Sequence, residues 1–333
     1  MEKILTITVP SYNVEKFLNQ TLNSFIHDEI LDDIEVLIVD DGSKDHTAEI
    51  GKEYEEKYPQ SFRVISKENG GHGSTINRGI AEAKGRYFKV VDGDDWVNTE
   101  DFVRLIQKLK GCSADYVFTN YYEVNDVTKE KNPVTFPGIR LNEEMPFHTI
   151  AKETKISMHA VVIETRILKE HNIRLDEHCF YVDVEYILYP IPYVEKVVYF
   201  DIYVYMYRLA QVGQSVSMQG YQKHMQNHID VIMHVLDYIE NYKKTGKAEE
   251  DKVRYMERRI GEMAHEQVDI FTSFPVNNKE IQKKFQDFDE ALKKKSLTVY
   301  HETGEYSGML RMLRKVKFWG YEAIVNLSKV RNK

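Results

Sequence analysis

The stretch KVVDGDDW, residues 89–96, indicates both how this chain folds and where its chemistry lies. Its apolar part predicts a buried strand, and that strand ends in three carboxylates within four residues. Like charges this close resist burial together, whereas Gly93 permits a turn that lets Asp92 and Asp94 approach one cation. Mg²⁺ and Mn²⁺ prefer such oxygen ligands. An isolated Asp-x-Asp is more often a solvated turn, so the interpretation depends on its strand-end position and on the upstream sequence.

The composition is that of a folded protein and excludes several classes. The 333 residues are 42% hydrophobic and 29% charged, enough for a substantial core and two domains. A net charge of -8 argues against nucleic acid as a partner. Two cysteines form neither a disulfide framework nor a metal motif and suit a reducing compartment. The sequence shows no signal-peptide pattern and no apolar run long enough to cross a bilayer, so we expect a cytoplasmic protein.

Apolar strands alternate with helical periodicity over the first 121 residues, which predicts a parallel sheet covered by helices. Polar turns follow four of these strands, at residues 11–13, 40–41, 67–69 and 92–94. In such sheets the ligand lies beyond the carboxyl ends of the strands. We therefore expect these four turns to meet at one edge and to form a site.

The later sequence predicts a different architecture. Prolines in residues 125–155 indicate a long excursion, interpreted as a flap over the site. A short helix is predicted over 182–188, followed by two separate strands at 197–200 and 203–207. Helical stripes then follow, the last predicted from Met309 to Val330. We predict two domains, 1–215 for catalysis and 216–333 as an appended helical domain.

Four motifs in order resemble those of the family 2 glycosyltransferases. They are TVPSYN at 8–13, VDDGS at 39–43, NGG at 69–71 with NRG at 77–79, and DGDDW at 92–96. The resemblance implies a GT-A fold, an α/β fold with a mostly parallel sheet flanked by helices, here with a C-terminal helical region. It implies inverting transfer of a sugar from a nucleotide-sugar, usually uridine-linked, to an acceptor hydroxyl. It also implies a divalent ion, Mn²⁺ or Mg²⁺.

The resemblance assigns the first two motifs to the nucleoside. Asp40 or Asp41 accepts the imide N–H of uracil, a contact that suits a carboxylate. The alternative is that this segment only begins the next helix. Pro10 and Tyr12 line the base pocket, with Tyr12 stacking on the base; ordinary packing of Tyr12 is nearly as good an explanation.

The DGDDW motif is assigned to the metal and the donor. Asp92 and Asp94 hold the ion, and Asp92 and Gly93 also lie against the donor. The ion bridges the two phosphates and neutralises the departing diphosphate. Asp95 either contacts the sugar or supports the loop, and both roles stay open.

An acceptor hydroxyl needs a base, and the family often supplies it from a Glu-Asp pair that opens a helix. Here Val182 stands where that Glu is expected, and Asp183 follows it. We predict Asp183 as the base and Glu185 as the second candidate. The alternative is that the carboxylate only caps a helix.

A second departure concerns Ile76, which occupies the place of an Arg found in many relatives. Lys67 and His72 lie in the same loop and are predicted to contact the nucleotide instead. Arg208 and Gln211 are candidates for a phosphate or acceptor contact, with a plain surface pair equally good. The Gln-x-x-Arg-Trp motif of processive synthases is absent from the sequence, so we expect one or a few transfers.

The leading hypothesis is a glycosyltransferase of surface-polysaccharide or related glycan assembly, acting on a glycan or lipid-linked acceptor. A scaffold protein that kept the fold and lost catalysis is the alternative that Val182 and Ile76 permit. A nicotinamide oxidoreductase requires Gly-x-Gly-x-x-Gly after the first strand, and residues 11–13 do not provide it. The basic, aromatic tail from Arg311 to Lys333 suits either peripheral contact with an anionic membrane or a final bundle helix.

Overall fold

The computed structural model describes residues 3–152, 154–210 and 216–331. The chain divides into two compact units, Met1–Val212 and Gly213–Lys333. The boundary predicted after residue 215 falls at the edge of the segment 211–215, outside the described residues, and the functions assigned to the two parts stay predictions.

Within the described residues, the first unit is built on one mixed sheet of ten strands. The strands are β1 Leu5–Ser11, β2 Ile34–Asp40, β3 Phe62–Ser66, β4 Tyr87–Val90, β5 Trp96–Val97, β6 Tyr116–Asn125, β7 Lys131–Val134, β8 Met145–Pro146, β9 Val161–Glu164 and β10 Lys196–Leu209. Their main order across the sheet is β3-β2-β1-β4-β9-β6-β10-β5, with β7 paired to β6 and β8 to β10. The predicted α/β class with flanking helices is confirmed.

The register brings the predicted polar turns to one edge. Strands β1, β2, β3 and β4 run parallel to one another, and Ser11 lies opposite Asp40, which lies opposite Ser66. Every residue of β1 and β2 is buried, because helices cover both faces of a parallel sheet. The turns after these four strands therefore share the carboxyl-end edge.

The helices of this unit are α1 Glu15–Asn23, α2 Thr47–Lys57, α3 His72–Glu82, α4 Thr99–Lys110, α5 Thr165–Glu170 and α6 Asp183–Leu188. The predicted helix at 182–188 is thus present. The segments 197–200 and 203–207 are extended as predicted, but they belong to one continuous strand, β10, which absorbs the irregularity as register shifts against β6. The excursion at 125–155 contains β7 and β8, which pair with the sheet, so it is not wholly irregular.

The second unit is helical among the described residues. Its helices are α7 Met218–Lys223, α8 Met225–Lys244, α9 Glu250–Ser273, α10 Lys279–Lys295, α11 Leu297–Tyr306, α12 Gly308–Lys315 and α13 Tyr321–Arg331. The single last helix predicted from Met309 to Val330 is wrong. Lys317 and Phe318 have positive φ angles, as does Gly320, and this turn separates α12 from α13.

The turn also divides the aromatic residues of the tail. Phe318 and Tyr321 are buried and pack edge-on against Phe285, whereas Trp319 is 83% exposed. Arg314 is half-buried and forms an ion pair with Asp289 at 2.7 Å. Most of this tail is therefore bundle structure. None of the helices in the described ranges is long and apolar enough to span a membrane.

Close packing of α3 on β1 explains a glycine of the third motif. A Cβ added at Gly79 would lie 2.6 Å from the Cβ of Thr8, which is fully buried in β1. Both groups belong to packed elements, so neither can yield cheaply.

We therefore expect Gly79→Ala to lower the free energy of unfolding by about 1–3 kcal/mol, despite the higher helix propensity of Ala. Gly111→Ala is the matched control, because a Cβ there meets nothing within 4 Å. Urea unfolding followed by Trp96 fluorescence, in a Trp319→Phe background, reports on the first unit alone. Equal midpoints for the two variants would contradict the packing argument.

Candidate functional site at the carboxyl edge of the sheet

The acidic cluster lies where β4 ends, and its three carboxylates have different surroundings. Asp95 is buried; the Tyr205 hydroxyl donates to it at 2.6 Å and the Arg208 amide at 2.7 Å. Asp92 is half-buried and lies 2.8 Å from Nε2 of His72. Asp94 is half-buried as well. Asp95 therefore supports the loop, which is one of the two roles left open by the sequence.

The charges in this cluster compete. Burial, followed by the neighbouring Asp92, raises the pKa of Asp94 to about 6. Burial also raises the pKa of Asp95 well above its ordinary value, with Asp94 and Asp92 adding to the effect. At Asp92 burial acts in the same direction, but the charge and hydrogen bond of His72 outweigh it and lower the pKa. The cluster as folded is short of positive charge.

The acidic cluster has a neighbour that the sequence did not indicate, the side chain of His159. Among the described residues, a ring nitrogen of His159 and a carboxylate oxygen from each of Asp92 and Asp95 lie within 4.8 Å of one another. This spacing and this set of oxygen and nitrogen donors fit a divalent ion. Asp94, predicted as a ligand, is not part of this group. His159 comes from the turn before β9, where the sequence has no motif.

The second motif is used differently by its two aspartates. Asp41 is buried and accepts hydrogen bonds from the amides of Gly70 and Gly71 at 2.9 and 2.8 Å, and from Nζ of Lys67 at 2.7 Å. Asp40 is buried as well, and its carboxylate accepts a bond from the amide of Ser43 at 3.0 Å. Asp41 thus ties residues 69–71, which we call the glycine loop, to the end of β2. The Lys67 ammonium takes part in the same hydrogen-bond network rather than extending towards solvent.

The first motif lies beside the cluster. Pro10 is buried at the end of β1, and its carbonyl accepts a hydrogen bond from the Gly93 amide at 3.0 Å. A Cβ at Gly93 would lie 2.9 Å from that same oxygen, which explains the glycine. Tyr12 is 48% exposed at this edge, so its ring is open to a ligand.

The glycine loop has a role that sequence reasoning missed: it holds the segment that leads to α6. The side chain of Asn77 bonds the amide and carbonyl of Leu175 at 2.8 and 2.9 Å. The amide of His178 donates to the carbonyl of Gly70. A Cβ at Gly73 would collide with the carbonyl of Asp176. The third motif therefore positions the start of α6 against the sheet edge.

The two candidate bases on α6 differ in access. Asp183 is half-buried at the first position of α6, and its charge acts on both His72 and Tyr207 beside the acidic cluster. Glu185 is fully buried, and its oxygens accept bonds from the Asp176 amide at 2.8 Å and the Tyr189 hydroxyl at 3.2 Å. Glu185 thus braces the helix, whereas Asp183 is only half-buried.

Arg208 does not lie free for a phosphate. Its guanidinium is buried, pairs with Asp126 at 2.7 Å, and lies over the rings of Phe17 and Trp96 at 4.8 and 4.6 Å. It also bonds the carbonyl of Asp94 at 2.7 Å. Arg208 is therefore part of the framework around the cluster. Gln211, the other predicted contact, lies outside the described residues.

Comparison with known proteins agrees with this geometry. Residues 6–171 match the sequence model of the family described as Glycosyl transferase family 2, and the chain belongs to that family. "Uncharacterized glycosyltransferase EpsJ" of Bacillus subtilis is 38% identical over 37% of this chain and 35% of its own length. "Minor teichoic acid biosynthesis protein GgaB" of the same species is 30% identical over 52% of this chain and 19% of its own length. The chain thus spans about a third of EpsJ and less of GgaB.

Two solved structures share the fold. TarS 1-349 of S. aureus, in complex with UDP-GlcNAc, has a TM-score of 0.64 at 18% identity, covering 98% of this chain and 91% of that chain. The mannosyltransferase PcManGT of Pyrobaculum calidifontis, in complex with GDP-Man and Mn²⁺, has a TM-score of 0.52 at 13% identity, covering 92% and 87%. At these identities the likeness establishes the fold alone.

The pH dependence of stability should show the burial of Glu185. Burial raises its pKa from an ordinary 4.5 to about 7, so folding favours the protonated form. The resulting stabilisation is fully present below pH 4.5 and is lost as the pH rises to 7. Relative to Glu185→Gln, which does not titrate, the wild type should lose on the order of 3 kcal/mol across this window.

Urea unfolding at stepped pH measures this difference. Glu29→Gln serves as the control, because Glu29 is exposed in the same unit. A difference between the wild type and Glu185→Gln that stays constant from pH 4.5 to 7.5 would contradict the assignment.

Proposed function

We propose that this protein is a glycosyltransferase that moves a sugar from a nucleotide-sugar, a uridine diphosphate sugar in the first instance, to an acceptor hydroxyl with inversion. The observation that supports this most directly is that three polar features lie near the same edge of the sheet. They are the predicted nucleoside turn after β2, the acidic cluster after β4 and Asp183 on α6. The TarS complex with UDP-GlcNAc supports uridine as the base. The GgaB match supports a polysaccharide or teichoic-acid type of product.

In this proposal the donor lies along the carboxyl edge of the sheet. Tyr12 stacks on the base beside Pro10, and Asp40 accepts the imide N–H, since Asp41 is committed to the glycine loop. Lys67 and His72 line the same loop. Asp92 and Gly93 lie against the ribose and phosphates. Asp92 and Asp94 would hold a divalent ion, Mn²⁺ or Mg²⁺, which would supply positive charge opposite the departing diphosphate.

A side chain of this protein accepts the proton that the reaction releases. Asp183 takes the proton of the acceptor hydroxyl as that oxygen attacks the anomeric carbon. A single displacement from the face opposite the leaving diphosphate inverts the configuration. Glu185, Asn77 and the glycine loop hold α6 so that Asp183 keeps this position. Release of the diphosphate then completes the transfer.

The partners beyond the donor stay proposals. We propose a glycan or lipid-linked acceptor and a cytoplasmic location. We still expect that nucleic acid is not a partner. Contact of the tail with an anionic membrane surface stays a prediction from the sequence. In the structure Trp319 is the tail aromatic exposed for such a contact, while Phe318 and Tyr321 are buried.

The alternative is a scaffold protein that kept the fold without catalysis, which the departures at Val182 and Ile76 permit. Val182 is fully buried and Ile76 is fully buried, so both positions serve packing here. Neither departure removes the carboxylate of Asp183, which is half-buried. The two functions are separated by turnover and not by nucleotide affinity.

We expect Asp183→Asn to lower the rate of transfer by a factor of about 10²–10⁴ while the affinity for UDP changes less than about threefold. The assay follows release of UDP from a panel of UDP-sugars with sugar acceptors and Mn²⁺, and calorimetry gives the UDP affinity. Asp32→Asn, an exposed aspartate of the same unit, is the matched control. Absence of both turnover and nucleotide binding in the wild type would refute the proposed function, and binding without turnover would favour the scaffold.

A further inference from the structure

Strands β4 and β9 separate beside the acidic cluster, and a lysine fills the gap. Their antiparallel pairing ends with Phe88 opposite Ile163. Beyond this point the ammonium of Lys89 donates to the carbonyls of His159 and Val161, at 2.8 and 3.1 Å. These carbonyls lie two residues apart on the turn before β9 and at its first residue. The lysine side chain thus replaces the missing strand pairing at this edge.

Lys89 is fully buried and lies 5.3 Å from the centre of the Tyr205 ring. The ion pairs in the described ranges do not include it. A buried ammonium is costly unless polar groups surround it, and two carbonyls with an aromatic face supply that surrounding. Such a residue fixes the backbone that it bonds. In this case the fixed backbone belongs to His159.

The ring of His159 is held on its other side by tyrosines of β10. It stacks on Tyr207 with 3.9 Å between ring centres and meets the edge of Tyr205 at 4.9 Å. Its Nδ1 atom is buried and has no hydrogen-bond partner among the described residues. One of its ring nitrogens belongs to the group with Asp92 and Asp95 within 4.8 Å. A fixed imidazole with a ring nitrogen beside carboxylates has the chemistry of a metal ligand.

We propose that His159 is a nitrogen ligand of the divalent ion and that Lys89 is the residue that positions it. This inference rests on the proposed function, which supplies the ion. Asp92 shares the ion with His159 and with Asp94 as proposed above, and Asp95 lies in the same group while it supports the loop through its two hydrogen bonds. Hard Mg²⁺ prefers oxygen ligands, so a nitrogen ligand favours Mn²⁺ in this site.

Pulsed electron paramagnetic resonance of Mn²⁺ with UDP tests the ligand directly. In the wild type we expect hyperfine coupling to a bound ¹⁴N nucleus, changed by ¹⁵N labelling of histidine. His159→Gln should abolish the coupling and weaken Mn²⁺ binding on the order of 10–100-fold. His72→Gln is the matched control, because His72 also lies beside Asp92 but is not in the proposed ligand set, so the coupling should persist.

The outcomes separate this inference from the function on which it rests. Bound Mn²⁺ without nitrogen coupling in the wild type, or coupling that survives in His159→Gln, would overturn the ligand and leave the glycosyltransferase proposal standing. Failure to bind Mn²⁺ in the presence of UDP would overturn the ion itself and this inference with it.

A second variant tests the positioning residue. Lys89→Met keeps the length of the side chain but leaves the two carbonyls without their donor, so the imidazole should lose its fixed place. We expect the nitrogen coupling to weaken or vanish and Mn²⁺ affinity to fall about tenfold, while Trp96 fluorescence still reports a folded unit. Lys44→Met is the control at an exposed position. Unchanged coupling in a folded Lys89→Met would overturn the positioning role.

Discussion

The buried carboxylate of Asp95 is the contact on which the arrangement of the site depends. It bonds the Tyr205 hydroxyl and the Arg208 amide, so the end of β4 is joined to β10, three strands away across the sheet. Arg208 extends the connection to Asp126 and to the side chain of Gln20 on α1. Buried polar groups are stable only when all are satisfied. The loop that carries Asp92 and Asp94 is therefore held from several directions.

A small set of hydrogen bonds likewise holds the glycine loop and the segment that leads to α6. Asp41 closes the loop through two amides and a lysine, and the loop then receives the segment 175–178 through Asn77 and the carbonyl of Gly70. Gly71 is required because the backbone of His178 approaches its backbone closely and because its φ angle is positive. A motif that the family resemblance assigns to the nucleotide thus also places the proposed base. The proposed nucleotide site and the proposed base would therefore be held by the same loop.

Much of this could be predicted from the sequence, because its signals are local. The alternation of strands and helices predicted a sheet covered by helices. The polar turns after β1, β2, β3 and β4 predicted which edge of that sheet carries the site. The roles of Asp95, Arg208 and Asp41 could not be predicted, since a charged residue in a motif looks the same whether it meets a ligand or a buried partner. His159 had no motif, and only the spatial approach of β9 to β4 brings it to the cluster. The turn at 317–320 was missed because its residues carry no proline and only one glycine.

The end of β4 is proposed to form a nucleotide site that depends on a divalent ion. Calorimetric titration of UDP with and without Mn²⁺ tests it most directly, because coupled ligands raise each other's affinity by the same factor. For the wild type we predict that Mn²⁺ tightens UDP binding about tenfold or more, and that Asp92→Asn loses this coupling. Equal affinity of the wild type for UDP in the presence and absence of Mn²⁺ would contradict the account.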